Sequence, residues 1–319
     1  MTGRDGGHAG VPREILRKVR LIDLRTRGLV GSRFSGEYQS TFKGQGIEFA
    51  EVREYQAGDD VRAIDWNVTA RMGHPYVKKH VEERELTVLL LVDLSGSEQF
   101  GTRRRIKAEV AAELAAVLAL SAVHNNDRVG LLICTDRVEH LVPPKKGRRH
   151  VLRLIRDVLA FRPTGRGTDL PAALDYAGRL LRHRSIIFVL SDFIWPAPAA
   201  EAEGHAGPGN GAAAFAHTLR LVSRRHDVVA VRIEDGVEQM LPDVGVLALR
   251  DPETGLELMV DTGRRAVRAE YGARAAAERE ELRRLFRRLG TDEVAVRTDA
   301  PYVEPLLAFF RARERRRWR

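Results

Sequence analysis

Cysteine is almost absent from this chain. Cys134 stands alone in 319 residues, so no internal disulfide can form, and within Gly130-Leu-Leu-Ile-Cys134 it reads as core packing in a strand. Long apolar runs are missing as well. No segment approaches the roughly 20 apolar residues that a membrane helix requires. The N-terminus, Met1-Thr-Gly-Arg-Asp-Gly-Gly-His8, lacks the apolar stretch of a signal peptide. The expectation is a cytoplasmic protein with no transmembrane segment. The chain has no Gly-x-x-x-x-Gly-Lys-[Ser/Thr] loop, which argues against nucleotide hydrolysis. His74 and His80 have no second histidine at ligand spacing, which argues against a zinc site there.

What is present is a chain long enough, at 319 residues and 44% hydrophobic, to bury a substantial core in one large domain and a smaller one. The most informative segment is the apolar run Leu86-Thr-Val-Leu-Leu-Leu-Val92, which ends in Asp93-x-Ser95-x-Ser97. The run has the continuous apolar character of a strand buried on both faces of a parallel sheet. Its first polar residue then emerges at the carboxyl edge, where open α/β sheets bind ligands. One carboxylate and two hydroxyls, with no His or Cys nearby, form a hard-oxygen set suited to Mg²⁺ or Mn²⁺. Asp and Ser are also ordinary turn formers, so the triplet alone is ambiguous.

Two later segments add weight. Thr164-Gly-Arg-Gly-Thr168-Asp169-Leu-Pro171 is a glycine loop leading into a helix, in which Thr168 or Asp169 acts either as a helix cap or at a site. Ser185-Ile-Ile-Phe-Val-Leu-Ser191-Asp192 is a second buried-strand run ending in a carboxylate. Two strands that both finish in Asp, with a Gly-Thr loop between them, are hard to obtain from turn chemistry alone.

The remaining pattern alternates helix and strand. A helix is expected over Arg104 to His124, strands over Asp127 to Cys134 and Val138 to Val142 with a turn at Asp136, a helix over His150 to Phe161 and a strand over Asp227 to Ile233. This alternation predicts an α/β fold with a doubly wound, mostly parallel sheet. Residues 1–11, small and polar, are expected to be disordered. Residues 12–85 are expected to form a smaller N-terminal module, with a basic amphipathic helix over Pro12 to Leu29 that buries Ile15, Val19, Ile22 and Leu24. The rest of that module reads as β-rich, short strands and turns forming a flap. In its acidic stretch Asp59 or Asp60 is expected to cap a helical turn, Asp65 to pair with charge and Trp66 to pack. The α/β domain spans 86–310, and 311–319 is a basic tail. Residues 196–211, low in complexity, read as a loop near the face that carries Asp192.

Taken together, Asp93-x-Ser95-x-Ser97, Thr168 and Asp192 resemble the metal-ion-dependent adhesion site of von Willebrand factor A domains. The resemblance implies a von Willebrand factor A-like, Rossmann-like fold. It also implies that these five residues hold a divalent ion, with an open position for a carboxylate supplied by a partner protein. Gly44-x-Gly46-x-Glu48-Phe49, Arg53-x-Tyr55-x-x-Gly58-Asp59-Asp60-x-Arg62-x-Ile64-Asp65-Trp66 and Thr69-Ala70-Arg71 resemble the signature of the domain of unknown function 58 family. Asp251-Pro-Glu-Thr-Gly255 and the segment Leu289 to Asp299 resemble its closing elements, so the likeness runs from about Ile22 to Arg313. Glu98 departs from the pattern, standing where members commonly carry Met; a carboxylate there either adds a ligand or occupies the partner's place. By the same resemblance, such proteins work beside MoxR-type AAA+ ATPases.

The function expected is therefore a non-catalytic, Mg²⁺- or Mn²⁺-dependent protein-binding adaptor. A metal-dependent hydrolase is one alternative. It would need a general base, for which only Glu98 and Asp169 lie near in sequence, and neither Ser95 nor Ser97 lies in a Gly-x-Ser-x-Gly elbow. Nucleic-acid binding through the basic tail is the other, since net charge is +9 and much of it lies in Arg311 to Arg319. Arginine and glutamate are interleaved elsewhere, as in Glu278-Arg-Glu-Glu-Leu-Arg-Arg284, which is the pattern of a solvated helix and weighs against nucleic acid as the partner.

Overall fold

A computed structural model of the chain describes residues 13–30, 34–42, 52–56, 59–61, 64–78, 85–99, 105–165, 167–195, 210–251 and 255–317. The expectations for residues 1–11, for Gly44 to Phe49 and for most of the 196–211 loop lie outside these.

Helix α1 (Arg13–Leu29) forms where the apolar spacing places it, with Val19 and Ile22 buried. Leu24, expected to be buried, is 56% exposed. The helix faces the protein with a narrower stripe than its apolar residues outline. Asp23 beside that stripe accepts two bonds from Arg148, and Lys18 pairs with Glu109. Helix α2 (Ser35–Phe42) then drives Tyr38 into the core, where its hydroxyl donates to Asp127 at 3.2 Å.

Strands β1 (Val52–Glu54) and β2 (Tyr76–Lys78) pair antiparallel around helix α3 (Trp66–Met72). Among the described residues of this segment helix therefore outweighs strand. The cap of α3 is Asp65, which accepts from Asn67 N at 3.0 Å and Val68 N at 3.3 Å, and Gly73 at φ 76° closes it. Asp59 accepts from Arg53 and from the Gln56 amide. Trp66, expected to pack, is 68% exposed.

The remaining elements build the main layers: β3 (Thr87–Asp93), a 3-10 turn (Gly96–Gln99), α4 (Lys107–His124), β4 (Arg128–Cys134), β5 (Val138–Lys145), α5 (Arg148–Ala160), α6 (Leu170–Leu180), β6 (Ile186–Ser191), α7 (Asn210–Ser223), β7 (Asp227–Glu234), α8 (Gly236–Gln239), β8 (Val246–Arg250), β9 (Glu257–Asp261), α9 (Arg265–Leu289), β10 (Asp292–Arg297) and α10 (Val303–Arg317). Six strands form one sheet in the order β10-β7-β6-β3-β4-β5. Every neighbouring pair is parallel except β4 and β5, which only a short bend joins. Strands β8 and β9 form a separate hairpin between β7 and α9. The fold is thus the expected α/β arrangement with a largely parallel central sheet. Among the described residues no helix is long and apolar enough to cross a membrane.

Strand β3 lies in the interior of the sheet and is buried on both faces, which is why its run is continuously apolar. Val88, Leu90 and Val92 pack with residues of α1, α2, α4, α5 and α10. Leu89 and Leu91 pack on the opposite side with residues of α6, α7 and α9. Helix α10 carries the basic segment on as regular helix through Arg317. Along it Arg311 bonds Glu37, Arg313 pairs with Asp227 and Asp292, and Arg316 pairs with Asp292. Phe310 of α10 is fully buried against Phe34, Tyr38 and Phe42, and Phe42 meets Phe188 of β6. The N-terminal helices are thereby part of the core on that side of the sheet. Phe310→Ala is expected to cost about 3–5 kcal/mol, read as a lowered urea midpoint in a single transition. A loss below about 1 kcal/mol would show that α1 and α2 rest on the sheet without contributing to its stability.

Candidate metal centre

Parallel pairing sets the site. Register places Val92 beside Leu190, so β3 and β6 end together, with Asp93 and Ser191-Asp192 at neighbouring positions of the carboxyl edge. On the other side Asp93 is level with Cys134 of β4, and Leu94 N still donates to Cys134 O at 2.9 Å. The backbone then turns. Ser95 N donates to Asp93 Oδ1 at 2.9 Å, Glu98 N donates to Ser95 O at 3.1 Å, and the Ser95 and Ser97 hydroxyls lie 3.2 Å apart. This turn brings Glu98 back over the end of β6, where its Oε1 accepts from Asp192 N at 2.9 Å.

On β6, Ser191 Oγ donates to Asp93 Oδ2 at 2.8 Å and accepts from Phe193 N at 2.9 Å. Phe193 adopts φ 55°, a left-handed conformation unusual for a non-glycine residue, and its ring is anchored among Trp195, Phe215 and Phe286. Asp192 Oδ1 accepts from Ile194 N at 3.0 Å. The structure thus gathers Asp93, Ser95, Ser97 and Asp192, four of the residues expected from sequence, and adds Glu98. Carboxylate oxygens of Asp93, Glu98 and Asp192 all lie within 4.8 Å of one another, and all three residues are buried.

Thr168 reaches the same edge on a loop. Asp169 N donates to Thr135 O at 2.8 Å, hanging the loop from the residue that follows β4, and Asp169 Oδ1 caps α6 through Ala172 N at 2.9 Å. Glu139 fixes the start of this loop by accepting from the amides of Thr164 and Gly165 and from the Thr135 and Thr164 hydroxyls. Partial burial opposes ionisation of Glu139, but these donors outweigh it and hold its carboxyl down at about 2. A Cβ at Gly165 would sit 2.3 Å from the Thr135 hydroxyl and 2.1 Å from an Asp136 oxygen, so both side chains would have to shift to admit one.

Sequence reasoning missed two participants. Lys107, the first residue of α4, is fully buried and donates from Nζ to Asp192 Oδ2 at 2.7 Å. Its ammonium also pairs with Glu238 of α8. One signal was available for Lys107: a cation in the first turn of a helix opposes the helix dipole and asks for a local anion. Nothing in the sequence pointed to Glu238.

Charge is unbalanced in this cluster. Three buried carboxylates face one buried ammonium, and Glu98 Oε2 has no hydrogen-bond partner. Burial, and then the charge of Asp192, raise the Asp93 carboxyl to about 7 against the opposing bonds from Ser95 and Ser191. The same two causes raise Glu98 well above the carboxylate range, with Lys107 opposing. Burial disfavours the Lys107 ammonium, yet the surrounding carboxylates outweigh it and keep the group charged. Burial and neighbouring carboxylates push the Cys134 thiol up, so it offers no thiolate here. The available donors are carboxylate and hydroxyl oxygens in a water-poor site, which fit a hard divalent cation.

Residues 51–281 match the family described as "Protein of unknown function DUF58". An uncharacterized protein of Mycobacterium tuberculosis is 32% identical over 301 residues, covering 93% of this chain and 89% of that protein. The uncharacterized protein YeaD of Bacillus subtilis is 29% identical over 107 residues, covering 34% of this chain and 25% of that protein. Among solved structures, the chain is similar to the conserved hypothetical protein BatB of Bacteroides thetaiotaomicron, with 15% identity, 72% of this chain and 99% of that chain covered, and a TM-score of 0.44. It is also similar to the SpRpn10 VWA domain, with 10% identity, 70% and 94% covered, and a TM-score of 0.34. By the extent of the family match and the coverage of its mycobacterial relative, this chain belongs to the DUF58 family.

Proposed function

We propose that the chain is a non-catalytic protein-binding module that works through a divalent cation, Mg²⁺ or Mn²⁺, held by Asp93, Ser95, Ser97, Thr168 and Asp192, to which Glu98 adds a ligand. The observation that carries this reading is the buried, charge-unbalanced carboxylate cluster at the sheet edge, with one Glu98 oxygen left without a partner. A cation there would relieve the repulsion that raises Asp93 and Glu98. A carboxylate from a partner protein would complete its coordination in a charge-assisted contact. The resemblance to the adhesion site of von Willebrand factor A domains supports the same role. The further step, a cytoplasmic adaptor acting with a MoxR-type AAA+ ATPase on client proteins, rests on family resemblance.

The hydrolase alternative fares less well because both candidate bases are engaged. Asp169 caps a helix and Glu98 holds the Asp192 amide. Nucleic-acid binding is weakened by the ion pairs that occupy Arg311, Arg313 and Arg316.

Titration calorimetry with MgCl₂ tests the metal reading. The parent is expected to take up one ion and Asp93→Ala none, while the variant keeps its fold in the absence of metal, because removing one of several clustered carboxylates relieves repulsion. Equal uptake by both proteins would exclude the site. A carboxylate-dependent partner should be retained by the parent in Mg²⁺ and lost in EDTA.

The raised Asp93 group predicts a pH dependence. Its folded value of about 7 lies above the ordinary 3.8, so the fold favours the protonated form. The stabilisation is complete below the ordinary value and is lost as pH rises through the folded one. The urea midpoint of metal-free protein should therefore fall between about pH 4 and about pH 7, and Asp93→Asn should flatten that slope. In excess Mg²⁺ the fall should shrink, since ion uptake releases the same proton. An identical slope in parent and Asp93→Asn would assign the titration elsewhere.

A further inference from the structure

We propose that Lys107 is an internal competitor for the metal: its ammonium occupies Asp192 until a divalent ion displaces it toward Glu238, and this exchange sets the ion affinity of the centre. The inference rests on the metal-centre reading above and concerns its regulation.

Both oxygens of Asp192 are engaged. Oδ1 is taken by Ile194 N at 3.0 Å and Oδ2 by Lys107 Nζ at 2.7 Å. The oxygen facing the lysine is thus already bound to a positive charge, and that charge lies within the reach of any cation Asp192 would ligate. In a site where Lys107 is 0% and Asp192 2% exposed, water screens this repulsion poorly. The ammonium and a divalent ion therefore compete for the same carboxylate.

Displacing a buried ammonium is prohibitive unless it keeps a partner. Glu238 supplies one. It already contacts Nζ, and its side chain is 23% exposed, so it lies at the wetter end of the pair. Its position is fixed by a capping box on α8: Asp235 N donates to Glu238 Oε2 at 3.2 Å, and Asp235 Oδ1 accepts from Val237 N at 3.0 Å. Thr298 Oγ1 donates to Asp235 Oδ2 at 2.7 Å and anchors the frame to the end of β10. One oxygen of Glu238 is held by its own helix cap while the other faces the lysine. The seat for the ammonium is built before the ion arrives, and the flexible lysine stem allows the shift.

The test is MgCl₂ calorimetry on the full chain as parent, Lys107→Met, Glu238→Gln and the double variant, with Asp93→Ala as control. Lys107→Met should bind Mg²⁺ at least about tenfold more tightly than the parent, and Glu238→Gln about tenfold more weakly. In the Lys107→Met background the Glu238→Gln effect should shrink to about twofold or less, because no ammonium remains to be seated. A purely through-space effect of the Glu238 charge would persist in the double variant and overturn the exchange. If the parent binds, Asp93→Ala does not, and Lys107→Met binds equally or more weakly, Lys107 is a structural counter-ion and the metal reading stands alone. If none of the proteins binds, both inferences fall. Should circular dichroism show Lys107→Met unfolded, unchanged or tighter binding by Glu238→Gln overturns the proposal.

Discussion

Buried charge without a matching counter-charge is the constraint on which the carboxyl edge of this protein depends. The parallel pairing of β3 and β6 forces Asp93 and Asp192 to emerge side by side, and the turn after β3 folds Glu98 onto them. The sheet cannot part to let water in, because both faces of β3 are packed under helices. The strain must be relieved locally, by protons, by an ammonium or by a metal ion.

The chain shows two of these devices together. Asp93 and Glu98 are shifted toward their protonated forms, and Lys107 is held charged against the cost of its burial. Protonation leaves Glu98 Oε2 without a hydrogen-bond partner, and the ammonium reaches Asp192 alone among the three carboxylates of the cluster. A divalent cation would draw all three carboxylates onto one charge, which is the physical reason for proposing a metal centre rather than a buried ion pair. A partner carboxylate would then be recognised by charge at the end of an otherwise rigid sheet.

Much of this was legible in the sequence, and the limits have physical causes. Strands β3 and β6 announce themselves because doubly buried strands need no polar alternation, and each betrays its carboxyl end by its first acid. Glu98 stood out as a departure from a family pattern, but only the 3-10 turn shows that it points inward. Lys107 opens α4 and Glu238 lies in α8, so their contact joins elements far apart in the chain and is invisible to local spacing. Leu24 and Trp66 mislead for the opposite reason. Apolar character makes burial favourable, yet a short amphipathic element has more apolar positions than its neighbour can cover. Asp65, expected to pair with charge, instead caps α3, because the helix starts at the residue that follows it.

Anomalous diffraction from crystals grown in MnCl₂ would locate the ion. One Mn²⁺ peak is expected at the carboxyl ends of β3 and β6, within about 2.3 Å of a carboxylate oxygen of Asp93, Glu98 or Asp192. A cluster free of anomalous signal at saturating Mn²⁺, with Lys107 still on Asp192, would contradict it and leave a buried ion-pair network in place of a metal centre.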